Sequence, residues 1–195
     1  MLAATALAGC AAQPQIPAQP CAIGAVVQSG VLPTVSGDGS SLCLGSKATV
    51  WYFTGPECPI ARSYAPDVAR LSEADRARGI EWIMVFPEDG ITNDLVNTFR
   101  ADYALPLPFV LAPGDGLCCD LGVKSIPSVV VIDARGHIIY RGRIDNRYRG
   151  IGTTFGPPSE HDLRAMTDAI AAGQPVTPRE TTAVGCILAP CKTHP

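Results

Sequence analysis

The sequence predicts an α/β protein in which helices cover a mixed central sheet. Three observations support this class: apolar runs of strand length alternate with segments of helical spacing, the strands carry few polar residues, and a tight turn joins the last two strands. Helical crossovers connect parallel strands, whereas a tight turn connects antiparallel ones. The order of strand, helix, strand, helix, strand pair and helix therefore predicts a three-layer sandwich that contains both kinds of pairing.

Each predicted element rests on a local pattern. Strands are runs of apolar and β-branched residues, and helices place apolar residues three or four positions apart. Thr92 and Ser159 are the expected N-caps of two helices, and Gly79 and Gly173 the expected stops. The elements are an N-terminal β-hairpin at 31–35 and 42–44, strands at 49–53, 80–86, 107–111, 129–132 and 138–140, helices beginning after Cys58, Thr92 and Ser159, and a helical turn at 117–121.

Composition and charge narrow the class of protein. The chain has 195 residues, 47% of them hydrophobic and 17% charged, which is enough apolar material for one domain. The formal net charge is −3 and most basic residues are scattered, so nucleic acid is not an expected partner. We expect the domain to span residues 23–173, with a Gln-, Pro- and Ala-rich tether at 11–22 before it and a Pro-rich tail without regular structure at 174–195.

The N-terminus resembles a bacterial lipoprotein signal. Residues 7–10 (Leu-Ala-Gly-Cys) fit the small-residue pattern at which such a signal is cut and the new N-terminal cysteine is acylated. No Lys or Arg precedes the pattern and the apolar stretch is short, so a fortuitous alanine-rich start is the alternative, and a start assigned too late would reconcile both observations. The expectation is a signal at 1–10, a lipid anchor at Cys10, and a periplasmic location, with the outer membrane as the first choice.

The cysteine count agrees with an oxidising compartment, because eight cysteines are many for a reducing cytosol. Cys21 and Cys43 flank the predicted hairpin and are candidates for a structural disulfide. Cys118 and Cys119 are adjacent, and since a bond between neighbours is strained, either one of them pairs elsewhere or both remain thiols. Lipidation of Cys10 removes one of the eight cysteines and leaves seven, an odd number. At least one thiol is then unpaired, and Cys58 is the candidate.

Cys58 is also the candidate nucleophile. It stands where a buried strand gives way to a helix, and Pro59 suits the first helical position because its missing N–H would have no partner there. Unpaired backbone N–H groups and the helix dipole favour the thiolate at such a point, although the neighbouring Glu57 opposes them. The alternative is a cysteine that only packs in the core. The setting predicts a thiol that reacts faster than the others.

These residues resemble the thioredoxin superfamily. That family has an aromatic strand, then Trp-Cys-Gly-Pro-Cys-Lys, then Ala-Pro within the helix; here residues 57–62 (Glu-Cys-Pro-Ile-Ala-Arg) are followed at the same spacing by Ala65-Pro66. The family's second landmark is a cis proline that faces the active-site cysteine, and Pro127 matches it because an apolar strand follows. An ordinary turn proline is the alternative. The resemblance implies a thioredoxin-like fold, in which Pro127 holds the partner backbone beside Cys58.

The resemblance covers about residues 31–173 and is more specific to redoxin-like relatives of peroxiredoxins and cytochrome-maturation thioredoxins. One bacterial lineage shares a Cys-Pro-Ile-Ala-like site, a stretch like residues 140–145 (Tyr-Arg-Gly-Arg-Ile-Asp) and a terminal segment like residues 183–187 (Ala-Val-Gly-Cys-Ile). It implies a thiol–disulfide oxidoreductase that needs no cofactor, and the N-terminal pattern and the cysteine count predict that this protein is extracytoplasmic. Its expected partners are protein thiols or disulfides, or a redox donor protein.

The sequence departs from this family at one important position. Ala61 stands where a dithiol oxidoreductase has its second, resolving cysteine. Cys58 alone can form a mixed disulfide, but release needs another thiol. Cys186 in the tail is the natural candidate. An equally supported alternative is that Cys186 pairs with Cys191 as a structural staple, because sequence does not set connectivity.

A thiol peroxidase is one alternative function, since peroxiredoxins also place Cys-Pro at this helix start. They activate peroxide with a Thr or Ser three residues before the cysteine and with an arginine. Here that position is Gly55, while Thr54 lies one residue earlier on the strand. The cation could come from Arg62 or from the arginines Arg141, Arg143, Arg147 and Arg149, each of which could equally be a solvated surface charge.

Two further alternatives need no catalysis. Copper chaperones on this fold use two cysteines four residues apart plus a histidine, because soft thiolates select Cu(I). Cys58 lacks such a neighbour, although Cys118, Cys119 or Cys186 could join it. A cysteine-stapled binding module is the other alternative.

Asp145 follows the last strand, where it could line a site or form an ion pair with Arg143 or Arg147.

Overall fold

The structure is a computed structural model that describes residues 20–28, 30–114, 116–150 and 156–191. The predicted signal and most of the predicted tether lie outside the described residues. In chain order the elements are β1 (Ala48–Phe53), α1 (Pro59–Arg76), β2 (Ile80–Phe86), α2 (Asn93–Asp102), β3 (Phe109–Leu111), α3 (Gly116–Asp120), β4 (Ser125–Ile126), β5 (Ser128–Asp133), β6 (Ile138–Gly142), α4 (Asp162–Ala171), β7 (Arg179–Glu180) and β8 (Cys186–Ile187).

The predicted mixed sheet is confirmed. Six strands lie in the order β3-β2-β1-β5-β6-β7. The helical crossovers make β1, β2 and β3 parallel, and the turn after β5 makes β5 and β6 antiparallel. A separate pair, β4 with β8, forms beside this sheet and brings the C-terminal tail to the domain.

Strand β1 is buried on both faces, which explains its continuous apolar sequence. Val50 and Tyr52 point to a core shared with α1, α2 and α4, while Trp51 and Phe53 point to a second core on the opposite face. Burying a large apolar side chain contributes about 2 kcal/mol, so the two layers fix the position of the strand end that precedes Cys58. None of the helices in the described ranges is long and apolar enough to cross a membrane.

Three expectations are corrected by the structure. The N-terminal hairpin reduces to a turn closed by one antiparallel bridge, Val35 to Ser41, because the polar turn residues between them leave little apolar surface to pair. Ser159 does not cap α4; its hydroxyl accepts a hydrogen bond from Asn146, and His161 holds the N-cap position. The tail has regular structure after all, since β7 pairs with β6 and β8 pairs with β4.

Candidate active site

Cys58 occupies the N-cap of α1, immediately before Pro59. Its backbone N–H donates to the Gly55 carbonyl at 3.2 Å, and its own carbonyl accepts from the Arg62 N–H at 3.0 Å. These bonds fix the thiol at the end of β1, where it is only 3% exposed. Ala61 is completely buried one turn further along the helix, so the position of the family's local resolving cysteine contains only a methyl group.

Pro127 follows directly after the residue that contacts Cys58. The Ile126–Pro127 peptide bond is cis. The Cys58 thiol donates to the Ile126 carbonyl at 3.5 Å, so the residue before the proline touches the sulfur directly. The thiol and the proline loop, 68 residues apart in sequence, are thus parts of one site.

The tail brings a second sulfur to Cys58. Strand β8 runs antiparallel to β4 with Cys186 opposite Ile126. This register places the Cys186 sulfur 2.6 Å from the Cys58 sulfur, with Cys186 as the hydrogen-bond donor. That separation is only about 0.6 Å longer than a disulfide bond. The sequence alternative in which Cys186 acts with Cys58 therefore has the geometry it needs.

The Cys186 thiol is strongly disposed to keep its proton. Burial raises its pKa, and donation to Cys58, together with the negative charges of Cys58 and Glu88, raises it further, to about 12. A thiol must lose its proton before it can attack a sulfur.

Gly185 allows the tail strand to approach the proline loop. A Cβ atom at Gly185 would overlap the Ile126 carbonyl oxygen and carbon. Only glycine permits this backbone contact without displacing β8. Packing against Ile126 therefore explains Gly185, and the contact of its sulfur with Cys58 gives the next residue, Cys186, its place in the site.

A disulfide fastens the end of the tail. Cys119 in α3 is bonded to Cys191, 72 residues later. Before it, the Leu188 N–H donates to the Lys124 carbonyl at 3.0 Å, and the Ser125 hydroxyl donates to the Ala183 carbonyl at 3.3 Å. Cys186 is thus held on both sides. The alternative Cys186–Cys191 staple is wrong, and the expectation that one member of the Cys118–Cys119 pair bonds elsewhere is confirmed.

The proposed Cys21–Cys43 disulfide is also wrong, because both sulfurs are thiols. The Cys21 backbone is hydrogen-bonded to Asp120 and to the Arg141 side chain, whereas Cys43 is exposed in the segment before β1. The turn closed by Val35 and Ser41 does not bring the two cysteines together.

Glu88 belongs to this site, and the sequence analysis missed it. It follows β2, and its Oε2 atom is buried with no hydrogen-bond partner among the described residues. A Cβ atom on Gly55 would overlap this oxygen, so the carboxyl group lies against the backbone three residues before Cys58. Burial, and to a smaller extent the charge of Glu57, raises the pKa of Glu88. One signal could have revealed it: neighbouring parallel strands place their carboxyl ends at the same sheet edge, which is where sites form.

Four of the five arginines considered as a peroxidase cation have other partners, and Arg149 is exposed. Arg62 donates to the Tyr103 hydroxyl, and Arg141 forms an ion pair with Glu180. Arg143 pairs with Asp162, and Arg147 pairs with Asp145. Gly55 supplies no hydroxyl, and the neighbouring Thr54 is completely buried.

Asp145 lies in a separate buried cluster. Its carboxylate accepts a 2.6 Å hydrogen bond from the Tyr64 hydroxyl as well as the ion pair from Arg147. The Arg147 guanidinium also stacks over the Tyr64 ring at 4.4 Å. The ion-pair alternative for Asp145 is the one that the structure contains, with Arg147 rather than Arg143 as partner.

A groove extends the site beyond the two sulfurs. A cavity of about 280 Å³ is lined by Glu88, Cys118, Ile187 and Leu188, among others. Ile187 is 79% exposed beside it, so an apolar side chain stands at the rim next to Cys186. Within the described ranges no three or more His, Cys, Asp or Glu residues form a cluster able to hold a metal ion.

Comparison with known proteins identifies the fold. No family model and no curated protein sequence matches the chain. An uncharacterized conserved protein from Geobacillus kaustophilus is 17% identical, with a TM-score of 0.76 over 92% of this chain and 99% of that one. The thioredoxin domain of a Bacteroides vulgatus thiol-disulfide oxidoreductase is 15% identical, with a TM-score of 0.57 over 77% and 98%. A secreted Mycobacterium tuberculosis disulfide oxidoreductase homologous to E. coli DsbE is 16% identical, with a TM-score of 0.50 over 72% and 95%. The expected thioredoxin-like fold is confirmed.

Proposed function

We propose that the protein is a thiol–disulfide oxidoreductase in which Cys58 is the nucleophile and Cys186 the resolving thiol. The Cys58 thiolate attacks one sulfur of a substrate disulfide, forms a mixed disulfide and releases the first substrate thiolate. The Cys186 thiolate then attacks the Cys58 sulfur and releases the second substrate thiolate. The substrate gains two electrons, the Cys58–Cys186 pair loses two and becomes a disulfide, and a dithiol donor protein restores the pair. The reverse sequence oxidises a substrate dithiol.

The observation that carries this proposal is the 2.6 Å separation of the Cys58 and Cys186 sulfurs. The loss of a local resolving cysteine at Ala61 is compensated by a thiol held at the same nucleophile by a strand pair. In this proposal Pro127 orients the backbone of the partner protein beside Cys58. The thioredoxin-like fold supports the class of reaction, since solved structures named as disulfide oxidoreductases share it.

The direct test is mass mapping of disulfides in the protein oxidised by glutathione disulfide. We expect a Cys58–Cys186 bond beside the Cys119–Cys191 bond. Cys43→Ser, which removes an exposed thiol, is the matched control and should leave the map unchanged. Persistent alkylation of Cys58 under oxidising conditions, with no link to Cys186, would remove the tail from the mechanism.

Activity assays separate the competing functions. The wild-type protein should reduce insulin with dithiothreitol, and both Cys58→Ser and Cys186→Ser should abolish turnover. Peroxide consumption should stay near background, because Gly55 provides no activating hydroxyl.

Two facing thiols are also soft ligands, so Cu(I) titration of wild type against Cys58→Ser tests the copper-carrier alternative. Stoichiometric Cu(I) binding without insulin reduction would favour the carrier.

We also propose that the enzyme works outside the cytoplasm, anchored by lipid at Cys10 through a tether at 11–22, with the domain at 23–173. The lipoprotein-like residues 7–10 and the Cys119–Cys191 disulfide support this location, since disulfides persist in oxidising compartments. The partners would be extracytoplasmic proteins with thiols or disulfides. Fractionation tests the anchor: Cys10→Ser should move the protein from the membrane fraction to the soluble fraction, and an unchanged distribution would contradict it.

A further inference from the structure

The sulfur that begins the proposed cycle is shielded from solvent. Cys58 is only 3% exposed, although the first step requires a substrate disulfide to reach it. The Cys186 sulfur in β8 occupies one side of it at 2.6 Å, and Leu188 packs on the apolar cluster that contains Cys58. A new disulfide bond needs two sulfurs about 2 Å apart. A substrate sulfur therefore cannot reach Cys58 from the side that β8 covers.

The part of the tail that covers the nucleophile is anchored at both ends. At its N-terminal end β7 pairs with β6, and the Thr181 N–H donates to the Arg141 carbonyl at 2.9 Å. At its C-terminal end Cys191 is bonded to Cys119. Residues 182–190 therefore form a strap whose ends stay on the domain when its middle lifts.

Few contacts hold the middle of this strap. Strand β8 has two residues. Beside it, the Ser125 hydroxyl donates to the Ala183 carbonyl at 3.3 Å, and the Leu188 N–H donates to the Lys124 carbonyl at 3.0 Å. Ile187 is 79% exposed, so it contributes little buried apolar area. Segments of this kind open locally at a lower free-energy cost than the core, so the strap opens while β1 and α1 stay folded.

We propose that residues 182–190 are a gate that excludes external disulfides from Cys58 and must leave β4 before the first attack. The inference deepens the proposed function and rests on it. Opening uncovers the Cys58 sulfur, which then forms the mixed disulfide. The gate returns to β4 and brings Cys186 to Cys58, where the resolving attack releases the substrate. Opening breaks only noncovalent contacts and transfers no electrons. The same segment thus delays the first step and enables the second.

Gly185 determines how closely the gate lies on the domain. A Cβ atom at this position would overlap the carbonyl oxygen of Ile126, which is the strand partner of Cys186. Neither group is the end of a flexible side chain, so a methyl group can be accommodated only if the backbone of the gate moves. Gly185→Ala is therefore a variant that favours the open gate and keeps every thiol.

The test measures access to Cys58 and needs no substrate. Full-length protein with the Cys119–Cys191 bond intact is treated with iodoacetamide at a series of pH values, quenched, and mapped by mass spectrometry. The limiting rate at high pH is compared between variants, so that the fraction of thiolate does not enter the comparison. Cys43 is an exposed thiol and gives an internal reference in every sample.

We expect Gly185→Ala to raise the limiting rate of Cys58 alkylation about tenfold or more, because a methyl group forced into a packed contact disfavours the docked strand. Cys191→Ser frees one end of the gate and should also raise the rate, since the gate then spends less time docked. Gly156→Ala should match wild type, because a Cβ there meets no atom within 4 Å. Alkylation of Cys43 should be the same in all variants.

Two results would overturn the gate. Unchanged Cys58 alkylation in both Gly185→Ala and Cys191→Ser would mean that reagents reach Cys58 with β8 in place. Cys186→Ser keeps the strand and removes only the second sulfur. If this variant were accelerated as much as Gly185→Ala, the sulfur rather than the strand would be the barrier.

Hydrogen exchange of wild type decides the matter if Gly185→Ala does not fold. The Leu188 N–H should exchange at least about 100-fold faster than the amides of β1, because a gate opens without global unfolding. Equal protection of Leu188 and β1 would contradict the inference. The proposed function fails separately: a Cys58–Cys186 bond that never forms in glutathione buffers would refute the redox cycle, while the alkylation rates would still report whether the gate exists.

Discussion

The sulfur of Cys186 lies 2.6 Å from the sulfur of Cys58, although the two cysteines are 128 positions apart in the chain. The proposed nucleophile thus meets a second thiol across the fold rather than within one helical turn. The reaction that we propose consequently depends on how firmly the tail is docked.

Cys186→Ser should trap the substrate on Cys58. The variant keeps the nucleophile but lacks the thiol that releases the mixed disulfide. We expect a stable adduct between Cys58 and a cysteine-containing peptide, detected by mass spectrometry, while wild type shows it only transiently. Cys43→Ser should behave as wild type. Rapid loss of the adduct in Cys186→Ser would point to another resolving thiol, for which Cys118 in the adjoining groove is the first candidate.

Cys191→Ser should loosen the docked tail. The Cys119–Cys191 bond closes a loop with a sequence separation of 72, and such a cross-link stabilises a folded protein by about 4 kcal/mol in the chain-entropy account. We expect the free energy of unfolding in urea to fall by about 2–4 kcal/mol. The Cys58–Cys186 bond should also form less readily in glutathione buffers, because the effective concentration of Cys186 at Cys58 falls. An unchanged glutathione equilibrium would mean that β8 holds Cys186 in place without the Cys119–Cys191 bond.

Gly185→Ala should impair resolution while both thiols remain. The new methyl group would overlap the Ile126 carbonyl and push β8 away from β4. We expect the Cys58 adduct to persist longer than in wild type, with little change in the free energy of unfolding. Gly156→Ala is the matched control, since a Cβ there meets no atom within 4 Å. Resolution at the wild-type rate in Gly185→Ala would show that Cys186 reaches Cys58 without the strand pair.

Asp145→Asn should lower stability above pH 5 by about 2 kcal/mol, because Arg147 loses a buried partner but keeps its ion pair with Asp67. Burial acts to raise the pKa of Asp145, yet hydrogen bonds from Arg147 and Tyr64 outweigh it and hold that pKa below its usual value of 3.8. A carboxyl with a lowered pKa stabilises the folded state only while it is ionised.

The difference in unfolding free energy between wild type and Asp145→Asn should therefore be constant near neutral pH and shrink as the pH falls below about 4. Urea unfolding at a series of pH values measures it. Asp102→Asn, at the exposed end of α2, should change stability by less than about 0.5 kcal/mol at every pH. A difference that persists at pH 2 would show that the cost comes from packing rather than from ionisation.

Local sequence patterns predict the main strands of the sheet and mark Cys58 as the candidate nucleophile. Strand β2 was predicted at its observed bounds, and β1 and β5 within one residue at each end, because their apolar runs are buried on both faces and need no distant partner to be recognised. Cys58 and Pro127 were also identified locally, since a helix start after a buried strand and a proline before a strand are both visible in short segments.

Which sulfur faces Cys58 depends on contacts made across the fold. Strand β8 has two residues, and its place is set by pairing with β4 and by the Cys119–Cys191 bond, neither of which leaves a periodic pattern. Glu88 and its contact with Gly55 were missed for the same reason, because the two residues lie in loops that follow different strands. Local sequence patterns predict the elements whose burial is continuous along the chain. The pairing of cysteines depends on residues that meet only after folding, and so does the fit of a carboxyl group against a glycine.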